Sequence, residues 1–115
     1  MTAVQDILRS LGITRCYKGF KHTEYAICLA IQDESRLEAI TKEIYMETAD
    51  HFECNWTAVE RNIRTAVSRA WSVNPDLLCQ IAGYPLKTEP SASQFIEMIS
   101  SYIILSHQPQ PLVLP

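Results

Sequence analysis

The sequence predicts an all-α domain of about six helices around a central helix-turn-helix. Apolar residues recur at helical spacing along most of the chain. Only 3 glycines occur in 115 residues, which leaves few positions for the positive-φ turns on which strand-rich folds depend. The composition, 47% hydrophobic and 20% charged, is that of an ordinary globular domain. We therefore expect residues 1–105 to form one domain and residues 106–115, which contain three prolines, to be a disordered tail.

Apolar spacing and stop signals give the helices of the first half of the chain. A first helix of about ten residues ends at Gly12, a residue typical of helix ends. A second helix, apolar on much of its circumference, begins near Thr23 and ends near Asp33. Residues 36–52 are also helical, with an expected break near Thr41.

The second half of the chain is predicted to hold three more helices. The first runs over about 55–72. A short helix begins at Pro75 and ends at Gly83, as the preferences of these residues for helix starts and stops indicate. Residues 84–93 form a loop, and a last helix continues to about Leu105.

The charge of the chain is unevenly distributed. The net charge is -3, yet three arginines, Arg61, Arg64 and Arg69, share the predicted helix with a single acid, Glu60. The preceding segment, 33–53, holds seven acidic side chains against two basic ones. The electrostatic field of the domain is therefore polarised, with its positive side on this helix.

At 100° per residue, Arg61 and Arg64 fall on the side of the helix opposite its apolar stripe. That side is formed by Thr57, Ala58, Arg61, Arg64, Thr65 and Ser68. A short break followed by such a helix is typical of a helix-turn-helix, whose second helix enters the major groove, where arginine pairs with guanine. Arg69 lies further along and is expected to reach a phosphate or an acid of the protein. The alternative is an amphipathic helix whose arginines are solvated or paired with neighbouring acids.

Glu60 has two possible roles, which depend on where the helix begins. Thr57 and Glu60 match a capping box, in which Glu60 folds back onto the backbone N–H of Thr57. Alternatively Asn55 is the N-cap, and Glu60 points outward and can accept a hydrogen bond from cytosine.

Several functional classes find no support in the sequence. No apolar run approaches the length of a membrane span, and the first residues lack the features of a signal peptide, which predicts a cytoplasmic protein. The four cysteines form no CxxC pair and are expected to be free, mostly buried thiols. His51 and Cys54 are three residues apart, but two ligands do not make a metal site. No set of nucleophile, base and orienting residue is visible, so neither an enzyme nor a cofactor is predicted.

A longer stretch carries a specific motif: residues 39–71 read AITKEIYMETADHFECNWTAVERNIRTAVSRAW. This stretch resembles the C-terminal effector domain of the stage 0 sporulation protein A family, the response regulators that initiate sporulation. The family pattern has SITK, then VERAIRHAI, then AW. The matching positions are Ile40 to Lys42, Tyr45, Ala49, Phe52, Val59 to Arg61, Ile63, Arg64, Ala66, Val67, Ala70 and Trp71. The likeness covers about residues 13–105.

The resemblance implies a domain that binds a short DNA box upstream of promoters, commonly as a tandem dimer, to activate or repress transcription. It implies that Arg61 reads a guanine, that Glu60 contacts a base and that Arg64 lies near the phosphates. It also favours an outward Glu60. Thr57, Thr65 and Ser68 are expected to be further contacts to the DNA backbone. The expected partners are double-stranded DNA and a second copy of the chain on tandem sites, and RNA polymerase is a further candidate.

This chain departs from the family pattern at several places. Ala58 replaces a base-reading arginine, Thr65 replaces a histidine, Trp56 replaces a small residue, and the loop 84–93 is shorter than the family's lysine-containing version. An altered or relaxed box is therefore expected. A degenerate effector domain, acting by protein contact on a related regulator, is the alternative, supported by Ala58, the acidic balance and Trp56.

The family's receiver domain does not occur within these 115 residues. The sequence is therefore either an excised effector domain or a free-standing relative that phosphorylation does not control. Met1 and the native-looking tail favour the second.

Overall fold

The computed structural model describes residues 2–17 and 19–107, and within these ranges every regular element is a helix. The all-α prediction is confirmed. The elements in chain order are α1 (Ala3–Ser10), α2 (Phe20–Gln32), a 3₁₀ helix (Glu34–Ala39), a π-helical turn (Thr41–Tyr45), α3 (Met46–Phe52), α4 (Trp56–Val73), α5 (Pro75–Ala82) and α6 (Ala92–His107).

Two predicted boundaries change for identifiable reasons. α2 begins at Phe20, earlier than Thr23, because the Thr23 hydroxyl does not cap a helix start. It lies inside the first turn and donates to the Gly19 carbonyl at 2.6 Å. α6 continues to His107 and so takes two residues of the predicted tail, whose remainder at 108–115 lies outside the described residues.

The predicted break near Thr41 is confirmed. A 3₁₀ helix precedes it, and a π-helical turn leads directly into α3. The Arg36 guanidinium spans the break, donating to the Glu43 carbonyl at 2.7 Å and lying 3.8 Å from the Glu43 carboxylate. These contacts hold the 3₁₀ helix against the π-helical turn.

α2 lies at the centre of the fold and contacts α1, α3, α4 and α6. The core that surrounds it is continuous, and its largest fully buried side chains come from several elements. They are Phe95, Leu8, Leu11, Ile13, Ile27, Ile44, Ile63, Leu78, Ile96 and Ile99. Apart from the 3₁₀ helix, which contains no buried residue, the elements thus share one apolar core.

The apolar stripe of α4 faces this core, as the helical projection predicts. Its members, Val59, Ile63, Ala66, Val67 and Ala70, are fully buried. Trp71, at the margin of the stripe, is half-buried and packs against the core from outside. α4 is therefore fixed in rotation, and its opposite side is turned to solvent.

α5 has the ends that the sequence predicts. The Asn74 carboxamide accepts from the Leu77 N–H at 3.2 Å, Pro75 is the first helical residue, and Gly83 ends the helix with φ of 85°. Asn74 also donates to the Ser10 carbonyl at 3.2 Å. This second bond ties the α4–α5 corner to α1.

All four cysteines are free, as expected, but the expectation that they are mostly buried is wrong. Cys16 lies in the connection between α1 and α2, and Cys54 lies in the turn before α4. Both are exposed, while Cys28 and Cys79 are half-buried. Separately, no helix in the described ranges is long and apolar enough to span a membrane.

Candidate nucleic-acid interface

A tight turn joins α3 to α4 and sets the geometry of the helix-turn-helix. Glu53 adopts the left-handed conformation, with φ of 55°. The Cys54 N–H donates to the Ala49 carbonyl at 2.9 Å, which closes the end of α3. The chain therefore reverses within three residues, and α4 begins at Trp56 with its first turns at the surface.

Asn55 occupies the N-cap position of α4, and the capping box at Thr57 and Glu60 does not form. The backbone of Asn55 is extended, and its carbonyl accepts from the Ala58 N–H at 3.0 Å. The Asn55 side chain makes no capping hydrogen bond, so only the position of the cap is as predicted. Glu60 is consequently free to turn outward along the helix.

The half-buried Glu60 and the exposed Arg64 bind each other along α4. Arg64 Nη2 donates to Glu60 Oε1 at 2.8 Å, one helical turn apart. A carboxylate has two oxygens, so Glu60 Oε2 can still accept from another donor. The nearby Tyr45 hydroxyl stays protonated, because burial and then the charge of Glu60 raise the pKa of Tyr45 to about 12.

Arg61 differs from Arg64 in having no partner in the described part of the chain. Its side chain is exposed, and within residues 2–17 and 19–107 its guanidinium makes no hydrogen bond or ion pair. Its carbonyl accepts from the Thr65 hydroxyl at 3.0 Å, a bond within the helix. Five guanidinium N–H donors therefore point into solvent beside the first turns of α4.

The remaining predicted contact residues are brought to the same side, with different partners. Thr57 is exposed in the first turn of α4. The Ser68 hydroxyl donates to Glu89 Oε2 at 2.6 Å, a contact that sequence periodicity does not reveal. Arg69 was expected to reach a phosphate or an acid of the protein. Within the described structure its Nε donates instead to the Gly12 carbonyl at 3.3 Å, because the α1–α2 connection passes that flank of α4.

A groove of about 550 Å³ lies between the N-terminal half of α4 and the start of α6. Hydroxyl and guanidinium groups line its α4 and α6 sides, and the third side is formed by the π-helical turn and the residue before it. The lining residues are Ile40, Thr41, Tyr45, Trp56, Thr57, Glu60, Arg61, Arg64, Ser91, Ala92 and Ser93. Arg61 and the Glu60–Arg64 pair thus border one surface.

A polar contact with α2 fixes the flank of α4. Asn62 Nδ2 and His22 Nδ1 are 3.1 Å apart, and burial lowers the pKa of His22. Gly19 lies so close that a Cβ there would overlap the Asn62 carbonyl oxygen. Only the glycine at the start of α2 could have signalled this close approach in the sequence.

A comparison with known protein families identifies a family that matches most of the chain. The model of the family described as sporulation initiation factor Spo0A C terminal matches residues 4–103. This range includes all of α2 to α5 and ends within α6, and it covers most of the 115 residues. The chain therefore belongs to the family of the Spo0A C-terminal domain, a family of DNA-binding domains of sporulation regulators.

Proposed function

We propose that this protein is a sequence-specific DNA-binding transcriptional regulator of the sporulation-initiation type, with α4 as the recognition helix in the major groove. The observation that carries the proposal is the exposed guanidinium of Arg61 on the solvent side of α4, which has no partner among the residues that the structure describes. An arginine held in this way can pair bidentately with guanine O6 and N7 without first breaking a bond inside the protein.

The position of Arg61 along α4 supports a role in base reading. In a helix-turn-helix, the N-terminal turns of the second helix contact base edges. Arg61 follows Trp56, the first residue of α4, by five residues, a rise of about 7.5 Å. Its guanidinium therefore extends from the second turn, where base edges are within reach.

The Glu60–Arg64 pair suits a combined contact to base and backbone. Glu60 Oε1 orients Arg64, and Glu60 Oε2 is left to accept from cytosine N4. Arg64, with its side chain 58% exposed, keeps donors for a phosphate. Thr57 is proposed as a further backbone contact. The hydroxyls of Thr65 and Ser68 donate to the Arg61 carbonyl and to Glu89, so these two residues would contact a phosphate only after giving up those bonds.

The other partners follow from the same proposal. Double-stranded DNA is the ligand, a second copy binds on tandem sites, and RNA polymerase is a candidate partner at the promoter. Ala58 is half-buried and carries no donor, so one base that an arginine would read in the family is left unread. We therefore expect a box that is altered or relaxed at that position.

Selection from a random pool of duplexes, at low and moderate salt, tests the proposal. Enrichment of one box that persists at the higher salt is the expected result, since base contacts add to the salt-sensitive backbone contacts. Salt-sensitive binding without enrichment would contradict sequence reading, and no binding at either salt would contradict DNA binding.

A second candidate function is a protein-interaction module that modulates a related regulator. The observation that favours it is a pair of exposed apolar side chains, Trp56 at 38% and Met46 at 45%, on either side of the turn with Cys54. Sedimentation of the chain mixed with a Spo0A-type regulator distinguishes the two functions. A module would form a complex that Trp56→Ala weakens and Arg61→Ala leaves intact. A protein that acts only by reading DNA would form no complex with the regulator that depends on Trp56.

A further inference from the structure

The exposed side of α4 carries an acid from a distant part of the chain. Glu89, in the connection between α5 and α6, accepts from the Ser68 hydroxyl through Oε2 at 2.6 Å. Ser68 follows Arg61 by seven residues, so it lies two turns further along the same side of α4, about 10 Å along the helix axis. The side of α4 that is proposed to face DNA therefore has a carboxylate beside its C-terminal half.

The connection that carries Glu89 is anchored on both sides. The Leu86 N–H lies 3.3 Å from Cys79 Sγ. Pro90 is buried, and the Ser91 hydroxyl caps α6 by accepting from the Gln94 N–H at 3.2 Å. The backbone next to Glu89 is thus held in place beside α4.

This contact has two electrostatic consequences at the helix surface. The single proton of the Ser68 hydroxyl is engaged by Glu89 and is not available to a phosphate. The negative charge of Glu89 also repels any phosphate that approaches this half of α4, over a range of about 10 Å at 0.1 M salt. The N-terminal half of the same side, with Arg61 and Arg64, has the opposite preference.

We propose that Glu89 is a specificity-determining residue of the DNA contact, on the basis of its bond to Ser68 on the exposed side of α4. This inference rests on the proposed function. Glu89 disfavours placements in which the DNA backbone crosses the C-terminal half of α4. It thereby confines the backbone contact to Thr57 and Arg64 and selects the placement that brings Arg61 to a base. Non-specific complexes, which use many placements, lose more affinity than the specific complex.

The test compares Glu89→Gln with the wild type on two labelled duplexes, the box enriched by selection and a scrambled duplex of the same composition. Glutamine can still accept from Ser68, so the fold and the hydrogen bond are preserved while the charge is removed. We expect affinity for the scrambled duplex to rise on the order of threefold to tenfold at low salt, and affinity for the box to rise less. Glu89→Lys should enlarge both differences, and higher salt should shrink them.

Asp6→Asn is the matched control, because it removes the same formal charge from an exposed residue of α1, beside the C-terminal half of α6. An equal gain from Glu89→Gln and Asp6→Asn would overturn the inference, as would equal gains on the two duplexes. Absence of DNA binding by the wild type and all variants would instead refute the proposed function.

Discussion

The two sides of α4 differ in what holds them. On the core side, Val59, Ile63, Ala66, Val67 and Ala70 are fully buried and fix the helix by packing alone. On the solvent side there are only single polar contacts. Arg64 binds Glu60 within α4, while Ser68 and Arg69 reach distant parts of the chain, at Glu89 and Gly12. Arg61 has no partner among the described residues. The core side of α4 thus sets the stability of the domain, and residues on the solvent side can serve function at little cost in stability.

The largest effect is expected at the centre of the core side. Ile63→Ala removes buried methyl groups and leaves a cavity in the core, so it should lower the free energy of unfolding by about 2–5 kcal/mol. Chemical denaturation measures this change. If Ile63→Ala lowered the free energy of unfolding by no more than a substitution at an exposed residue does, α4 would not pack on the core as described.

The flank of α4 should be the next most sensitive region. At Gly19→Ala, the new Cβ would overlap the backbone carbonyl oxygen of Asn62, which cannot rotate away, so α2 and α4 must separate. We expect a loss of about 1–3 kcal/mol in the free energy of unfolding, typical of overpacking. Gly83→Ala is a useful contrast, since nothing lies near a Cβ there and the cost would come only from the positive φ of Gly83. Unchanged stability of Gly19→Ala would mean that the helices can move apart freely.

On the solvent side, Arg64→Ala should cost less than about 0.5 kcal/mol of stability, because it breaks an exposed ion pair one turn apart. In DNA binding the same variant should weaken all duplexes alike and reduce the slope of log affinity against log salt by about one. Titrations at several salt concentrations measure both quantities. A loss confined to one sequence would make Arg64 a base reader.

The smallest effect is expected from pH. Burial lowers the pKa of His22 in the folded state, so below its ordinary value of 6.5 the unfolded state binds the proton more readily. Stability should therefore decline as the pH falls below 6.5, and His22→Gln should flatten part of that decline. Denaturation at a series of pH values compares the two chains. Identical profiles would exclude His22 as the source.

The sequence predicted the core side of α4 well, because helical periodicity alone places its five apolar residues on one stripe. The stop at Gly83 and the start at Pro75 were predictable for a similar reason, since each depends on the backbone preference of a single residue. The break near Thr41 was also predictable, from the apolar spacing on either side of it.

The long-range contacts of the solvent side were not predictable from the sequence, unlike the pairing of Arg64 with Glu60 one turn away. Ser68 and Glu89 are 21 residues apart, and Arg69 and Gly12 are 57 apart, so only the packing of distant elements brings them together. The start of α2 was misplaced because Thr23 can bond either as a cap or within a helix, and local sequence does not decide between these. The burial of Cys16 and Cys54 was overestimated because residue type was considered without position in a turn.

The most direct test of the central claim compares Arg61→Ala and Arg64→Ala on the selected box and on its single base-pair variants. We expect Arg61→Ala to retain wild-type stability and to lose about 1–3 kcal/mol of discrimination at one G·C pair, with preference elsewhere kept. Arg64→Ala should lower affinity evenly across all of the variants. If Arg61→Ala instead kept the full wild-type preference at every position, α4 would not read DNA through Arg61.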